Sequence, residues 1–335
     1  MYDLRDYDLM FADVVRTEAY LRAIAAEVRE GDVVVEIGTG VGYFAVAAAR
    51  AGARHVYAIE RHSVADVARQ VVADNGCEDR ITVIHGDATE VSLPERGTVL
   101  LEDIRGVLPF FQTRVAAIAD ARARHLAPDA RFVSVRDVVW AAPVLASSAA
   151  VGDAPLGRAP YGIHRGAVAD RLRDVYLRVR LHSTDLLAAP MPCFTMDMAT
   201  VTSANADALA TFTIERDGIL DGFAVWFDAE LSGGVRMSNA PSAPKALYGQ
   251  TFFPISRAIR VHAGDVVVLE WRALLVTTEY VFAWTTRHEA AGGGTATTFR
   301  QSTLASVLPS RSELARLPNR TGDRAVDLVP RDADS

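Results

Sequence analysis

The stretch VVVEIGTGVGYF, residues 33–44, carries the clearest structural signal in the chain. A short apolar run containing one acid, Glu36, is followed by glycines at 38, 40 and 42 and then by an apolar segment with helical spacing. A turn built from glycines lets its backbone approach a ligand closely and point N–H groups toward it. The stretch therefore predicts a buried strand, a ligand-binding turn and a helix.

Further apolar runs alternate with helical patterns through the rest of the first half. Predicted strands are Val33–Ile37, His55–Ile59, Ile81–His85, Thr98–Glu102 and Arg131–Val135, and predicted helices include Tyr43–Ala51 and Val64–Asn75. Gly52 and Gly76 are placed to end these two helices. Strands that alternate with helices favour a parallel sheet with helices on both faces, an α/β Rossmann-like domain.

The pattern changes after residue 142. Alternating apolar and polar residues predict antiparallel strands at Cys193–Val201, Leu209–Glu215, Gly222–Leu231, Ile259–Val261, Val266–Val276 and Tyr280–Thr285. This half is expected to form a β-barrel or sandwich, with RGAVADRLRDVYLRV (165–179) as a helix leading into it. The predicted domains are 1–142 and 143–308, followed by a flexible tail at 309–335.

Composition excludes several classes of function. The net charge of −7 argues against nucleic-acid binding, and no apolar run is long enough for a membrane span. The two cysteines lack CxxC spacing and the eight histidines are scattered, so no metal site is expected. No secretory signal opens the sequence, and a cytoplasmic location is expected.

Polar residues end the next two strands, where ligands of parallel sheets bind. Glu60 ends the second strand with a carboxylate suited to ribose hydroxyls; the alternative is a solvated acid. Asp87 and Ala88 follow the third strand and are predicted to contact an adenine ring; the alternative for Asp87 is a helix N-cap. The glycine spacing, with Gly38, Gly40 and the preceding Glu36, resembles that of class I S-adenosylmethionine (SAM) methyltransferases. SAM is the expected cofactor and S-adenosyl-L-homocysteine (SAH) the product.

Several motifs resemble the protein arginine methyltransferases across residues 1–285. MFADVVRTEAYLRAI (10–24) is similar to the segment before that family's cofactor fold, and RAGARHVYAIE, VIHGDATEVSLPE and ARARHLAPDARFV continue the likeness. The resemblance implies that Arg16 binds the SAM carboxylate and that Met10 lies near the sulfonium. Tyr7, in what remains of the family's aromatic N-terminal helix, joins the cofactor residues. The resemblance also implies a homodimer or higher homo-oligomer, with a dimerisation arm near 161–186.

Residues 100–114, which correspond to that family's substrate loop, differ from the family's sequence pattern. Family members grip the acceptor guanidinium with two glutamates nine residues apart, whereas LLEDIRGVLPFFQTR places Asp103, beside Glu102, at the first position and Gln112 at the second. An amide cannot supply the second negative charge. Arg105 is expected either to pair with Glu102 or to touch the acceptor. The family's Thr-His-Trp loop is replaced by PKALYGQTFFP, which contains Tyr248.

These departures lead us to expect a different acceptor. Glu102, Asp103 and Gln112 are the candidate catalytic residues, and the candidate acceptor-binding residues are Tyr248, Phe111 and His164. This set suits a neutral, flat small molecule, such as an indole methylated at carbon or nitrogen. Phe110 and Phe111 have an alternative role in core packing. One alternative function is a protein arginine N-methyltransferase, and another is a non-catalytic partner subunit of a methyltransferase.

Overall fold

A computed structural model describes residues 3–145, 163, 171 and 173–306 of the chain. Within it the chain divides into two compact units. The first contains Met1–Val138, Thr195–Ala204 and Phe227–Tyr248, and the second contains Val139–Phe194, Asn205–Trp226 and Gly249–Ser335. The domain boundary expected at 142 lies four residues after Val138, where the first segment of the first unit ends. The first unit also contains the later segments Thr195–Ala204 and Phe227–Tyr248, which were not expected in it.

The first unit is built on a parallel sheet. Its elements are α1 (Leu4–Ala12), α2 (Val14–Glu27), β1 (Val33–Ile37), α3 (Tyr43–Arg50), β2 (His55–Glu60), α4 (Ala65–Asp74), β3 (Ile81–His85), β4 (Gly97–Glu102), α5 (Arg114–Arg124) and β5 (Leu126–Phe132). The strand order is β3-β2-β1-β4-β5, with all neighbours parallel. The chain leaves β1 toward β2 on one side and later returns to β4 on the other, so a crevice is expected at the carboxyl ends of β1 and β4.

Local sequence signals account for several of these bounds. The predicted strands Val33–Ile37 and Ile81–His85 are confirmed residue for residue. Gly52 (φ +116°) and Gly76 (φ +62°) lie just beyond the ends of α3 and α4 in backbone conformations that favour glycine, as predicted. The core on which the sheet rests includes Tyr20 of α2 and Phe44 of α3, whose rings stack with centroids 5.0 Å apart.

The remaining strands are antiparallel. They are β6 (Ser134–Val144), β7 (Leu177–Val179), β8 (Met191–Asp197), β9 (Ala206–Thr213), β10 (Gly218–Leu231), β11 (Arg236–Ser238), β12 (Gln250–Val261), β13 (Val266–Val276), β14 (Glu279–Glu289) and β15 (Thr297–Ser302), and a short helix α6 (Thr303–Ser306) follows. One sheet has the order β15-β14-β13-β9, and another has β7-β12-β10-β6-β8 with β11 paired to β10. The predicted α/β domain followed by antiparallel β structure is confirmed.

Several predicted elements were wrong in extent. A single strand was predicted at Arg131–Val135, but β5 ends at Phe132 and β6 begins at Ser134. The predicted strand from Cys193 ends at Asp197 because the Asp197 carboxylate accepts the Ala199 N–H at 2.9 Å and turns the chain.

Strand β12 begins nine residues before the predicted Ile259 because Pro254 is accommodated opposite Gly222. The register between β10 and β12 shifts there, and a Cβ atom on Gly222 would lie 2.2 Å from the Phe253 carbonyl oxygen. A β-bulge of this kind admits a proline that would otherwise interrupt the ladder.

The first part of the predicted dimerisation arm lies largely outside the described residues, and His164 and the predicted tail at 309–335 lie outside them too. At the C-terminal end of the predicted helix 165–179, Leu177–Val179 forms β7 and pairs with β12. Within residues 3–145 and 173–306, no helix has the length and apolar character needed to cross a membrane.

Candidate cofactor and acceptor site

The glycine turn after β1 forms a cradle that requires glycine. Gly38, Gly40 and Gly42 have φ values of +72°, +58° and +86°, in the left-handed region that other residues adopt at a cost. A Cβ atom on Gly40 would lie 2.7 Å from Cε1 of Tyr7, and one on Gly38 would lie 3.0 Å from a side-chain carbon of Ile104. Tyr7 from α1 therefore lies directly against the turn, as a cofactor-binding role would require.

Two carboxylates line the turn. Glu60, at the end of β2, accepts the Gly40 N–H at 3.0 Å through one oxygen and the His62 N–H at 2.9 Å through the other. Glu36 is 3% exposed and accepts a 2.5 Å hydrogen bond from the Thr39 hydroxyl. Burial raises the pKa of Glu36 to about 7. The hydrogen bond from Thr39 lowers this pKa but does not offset burial, and the negative charge of Glu60 raises it further.

Arg16 joins the N-terminal helices to the end of β4. Its Nε donates to Asp103 Oδ2 at 2.5 Å, and its Nη1 donates to the Met10 carbonyl at 3.0 Å. Its guanidinium carbon lies 5.1 Å from the ring centroid of Phe44, the second residue of α3. The structure thus brings Met10, Arg16 and Asp103 together beside the helix that follows the glycine turn.

Asp87 and Ala88 lie in the turn after β3, on the edge strand of the sheet. The Asp87 carboxylate accepts the Thr89 N–H at 2.9 Å and the Thr89 hydroxyl at 2.7 Å, and these bonds from Thr89 lower its pKa despite partial burial. No helix follows Asp87, so the helix N-cap alternative is wrong. The Ala88 carbonyl accepts from Arg124 and from His125, each at 2.9 Å. His125, which directly precedes β5, is 2% exposed.

The residues described so far match the chemistry of SAM. A guanidinium is available for its carboxylate, a carboxylate beside the turn for its ribose hydroxyls, and a glycine cradle for close backbone approach. SAM supplies a methyl group on a sulfonium, which a nucleophile takes by in-line displacement. Among the described residues no group of His, Cys, Asp or Glu is placed to hold a metal ion. The individual roles of Tyr7, Met10 and the other cofactor residues stay predictions.

Glu102 is engaged by an arginine that sequence reasoning missed. Arg114 Nε donates to Glu102 Oε2 at 3.0 Å and Arg114 Nη2 donates to Oε1 at 2.8 Å, while the Ile104 N–H donates to Oε2 at 3.1 Å. Glu102 is 2% exposed. Burial by itself would raise the pKa of Glu102, but Arg114 and Arg105 outweigh it and lower the pKa to about 2. Its carboxylate is ionised, and both of its oxygens accept hydrogen bonds from Arg114.

Asp103 has a different set of partners. Besides Arg16, it accepts from Tyr20 Oη and from Arg105 Nη1, each at 3.0 Å, and the Tyr248 hydroxyl lies 3.4 Å from both of its oxygens. In the part of the chain that the structure describes, Arg105 pairs with Asp103 and Asp137, whereas a pair with Glu102 was the expected alternative; a contact of Arg105 with the acceptor stays a prediction. Burial opposes ionisation of Asp103, but Arg16 and Arg105 lower its pKa.

These contacts form one buried charge cluster, whose side chains are at most 11% exposed: Arg16, Arg105, Arg114, Glu102, Asp103 and Asp137. Three cations face three anions. No local sequence pattern predicts the buried charge cluster, because Asp137 lies on β6, far along the chain from the substrate loop. The presence of two arginines, Arg105 and Arg114, so close to two acids was the only available hint.

The remaining acceptor candidates lie on or near the substrate loop. Gln112 has φ +43°, an uncommon conformation for a residue other than glycine, and its Oε1 accepts from the exposed Arg61. Phe111 packs inside the loop, since a Cβ on Gly106 would lie 2.8 Å from the Phe111 ring. Phe110 is buried, as its packing alternative predicted. Tyr248 is 8% exposed and contacts Phe227 edge-on at 5.3 Å.

Two family models match the chain. Residues 4–125 match the TRM5/TYW2 methyltransferase domain, and residues 158–279 match the arginine methyltransferase oligomerization subdomain. Together they correspond to the cofactor domain and to much of the β-rich half predicted from sequence.

Curated relatives and solved structures agree with these matches. Protein arginine N-methyltransferase PRMT10 of Arabidopsis thaliana is 27% identical over 76% of this chain and 76% of that protein, and protein arginine N-methyltransferase 1 of Schizosaccharomyces pombe is 26% identical over 78% and 79%. For several other arginine methyltransferases the match spans only 54–64% of their length.

Among solved structures, the open conformation of the Arabidopsis enzyme has TM-score 0.77 at 24% identity, covering 90% of this chain and 97% of that one. The Trypanosoma brucei PRMT1 enzyme–prozyme complex with AdoHcy has TM-score 0.80 at 20% identity, covering 88% and 97%. At these identities the structures establish a shared fold. The chain is a class I SAM-dependent methyltransferase that resembles the protein arginine methyltransferases.

Proposed function

We propose that the chain transfers the methyl group of SAM to a guanidinium nitrogen of arginine in a protein or peptide. The observation that carries the proposal is the likeness to arginine methyltransferases over about three quarters of the chain, with Asp103 at the position of their first substrate-loop glutamate. Protein arginine methylation was an alternative function in our interpretation of the sequence. The comparisons favour it over the small-molecule acceptor that we expected first.

Asp103 is the acid best placed to act on an acceptor. Glu102 is held at both oxygens by Arg114, on the side of α5. Asp103 Oδ1 accepts from Tyr20 and Arg105, while its Oδ2 accepts from Arg16, which is assigned to SAM, so an acceptor guanidinium would share Oδ2 with Arg16. With its pKa lowered, Asp103 is ionised at neutral pH and can accept hydrogen bonds from a guanidinium N–H. A carboxylate in that position localises the positive charge of the acceptor and leaves another nitrogen able to attack the methyl group.

A neutral, electron-rich aromatic acceptor is the second candidate, and the charges of the site favour it. The buried charge cluster holds equal numbers of cations and anions, so it offers no surplus negative charge to a guanidinium. Gln112 supplies no charge and is occupied by Arg61, which adds a cation to the loop. An indole N–H needs only one hydrogen-bond acceptor, and Asp103 could provide it.

The two candidates are separated by labelled methyl transfer. A Gly-Arg repeat peptide, the same peptide with lysine for arginine, and indole are each incubated with the chain and labelled SAM. We expect label in the arginine peptide alone, with methylarginine in its digest. Label in indole and not in the arginine peptide would overturn the first proposal in favour of the second. No label in any acceptor, with SAH binding intact, would contradict both.

We also propose that the chain forms a homodimer or a higher homo-oligomer. Residues 158–279 match a subdomain described as an oligomerization module, and large apolar side chains are exposed on α1 and at the start of α2, including Leu4 (58%), Leu9 (48%) and Val14 (61%). Multi-angle light scattering should give at least twice the 36.2 kDa chain mass, and Leu4→Ser with Val14→Ser should reduce it. A wild-type mass of one chain would refute the proposal.

A further inference from the structure

Asp137 is the most enclosed acid of the buried charge cluster. It lies on β6 with no exposed surface, and it accepts hydrogen bonds from two arginines of the substrate loop region. Arg105 donates from Nε to both Asp137 oxygens at 3.1 Å and from Nη2 to Oδ1 at 2.8 Å. Arg114 donates from Nη1 to Oδ2 at 2.8 Å. A buried acid with this many charge-assisted bonds fixes the orientation of both guanidinium groups.

The fixed guanidinium of Arg105 in turn restrains Asp103. Its Nη1, the nitrogen that does not bind Asp137, donates to Asp103 Oδ1 at 3.0 Å and also to the Tyr20 hydroxyl. Asp103 Oδ2 then accepts from Arg16 Nε at 2.5 Å. An unbroken series of ion pairs therefore runs from Asp137 through Arg105 and Asp103 to Arg16.

We propose that Asp137 and Arg105 are positioning residues that set the orientation of Asp103 and, through it, of the Arg16 guanidinium. The proposal rests on the assignment of Arg16 to the SAM carboxylate. Neither Asp137 nor Arg105 needs to touch the cofactor. Their effect on cofactor affinity comes from holding Arg16 in one orientation before binding, so that less conformational freedom is lost when the ligand arrives.

Two variants separate positioning from a purely structural role. Asp137→Asn leaves three arginines facing two acids in a volume closed to water, and we expect a lower Tm. The double variant Arg105→Gln/Asp137→Asn leaves two intact pairs, Arg16 with Asp103 and Arg114 with Glu102. We expect this balanced variant to recover at least half of the loss in Tm. If Asp137→Asn does not fold, the double variant is compared directly with the wild-type chain.

The deciding measurement is SAH affinity by calorimetry. In the double variant Asp103 has lost Arg105, so we expect SAH to bind about tenfold more weakly than to wild type, the effect of one lost charge-assisted hydrogen bond. Arg136→Gln is the matched control. It removes a neighbouring charge on the same strand, one that pairs with Glu230 at the surface, and it should leave SAH affinity unchanged.

An SAH affinity within twofold of wild type in the double variant would overturn the proposal, because charge balance alone would then account for Asp137. A double variant no more stable than Asp137→Asn would also overturn it, because a loss of SAH affinity would then follow from the destabilised fold and not from the orientation of Arg16. The identity of the acceptor does not enter the comparison, so a failed arginine assay leaves the proposal standing. A wild-type chain without SAH affinity would instead remove the cofactor role of Arg16 and, with it, the proposal.

Discussion

Replacing Glu36 with glutamine should remove a pH dependence of stability that is built into the glycine turn. Glu36 lies at the centre of the sheet, 3% exposed, and its carboxylate accepts a hydrogen bond from the Thr39 hydroxyl at 2.5 Å. Burial raises its pKa from 4.5 to about 7. The folded chain therefore keeps this proton at a pH where the unfolded chain has already released it.

The sign and size of the effect follow from that difference. A raised carboxyl pKa means that the folded state binds more protons than the unfolded state between about pH 4.5 and pH 7, so the free energy of unfolding falls as pH rises through this window. Between pH 5 and pH 8 the contribution of Glu36 falls by roughly 2 to 3 kcal/mol, at about 1.4 kcal/mol per pKa unit. Glutamine does not titrate, so Glu36→Gln should lack this fall.

Urea unfolding at pH 5 and pH 8 measures the effect. The free energy of unfolding of each protein is determined at both values, and the change for Glu36→Gln is subtracted from that for wild type, which cancels the other titrating groups. Thr39→Val is the matched variant. Removal of the hydroxyl donor raises the Glu36 pKa further and extends the fall to higher pH. Equal pH dependence in wild type and Glu36→Gln would refute a protonated Glu36 in the folded chain.

Three further variants test individual residues of the site. Glu60→Ala should weaken SAH binding in calorimetry by about tenfold, since the carboxylate that faces the Gly40 N–H is lost, and unchanged affinity would remove its assigned ribose contact. Gly40→Ala should weaken SAH binding and cost about 1 kcal/mol of stability, because φ is +58° and the new Cβ meets Tyr7; wild-type affinity would show that the turn does not need glycine. Asp103→Asn should lower methyl transfer at saturating SAM at least about tenfold, and it should also weaken SAH binding because Arg16 loses its ion-pair partner; full activity at saturating SAM would exclude Asp103 as the acceptor acid.

The fold was largely predictable because its signals are local. The apolar run Val33–Ile37 by itself predicts a strand. The closely spaced glycines that follow it predict a turn with positive φ, which the structure contains. Gly76 ends α4 for the same reason. The early start of β12 was not predicted, because a proline such as Pro254 normally interrupts a strand. The β-bulge opposite Gly222 accommodates Pro254, and the sequence alone does not indicate it.

The site was predictable only in part. Arg16 and Asp103 were each identified, but their contact joins residues 87 positions apart and no pattern along the chain reports it. Sequence reasoning could not separate the roles of Glu102 and Asp103, because the difference lies in which arginine each one meets. Both arginines also bind Asp137, which lies on β6 and joins the cluster only when β6 is in place.

We infer that Arg16 helps to hold SAM against the glycine turn, and calorimetric titration of SAH into the wild-type chain and Arg16→Ala measures that contribution. The wild-type chain should bind one SAH per chain, and Arg16→Ala should bind it at least about tenfold more weakly because the carboxylate loses its guanidinium partner. Equal affinity in the two proteins, or no binding to the wild-type chain, would contradict the claim.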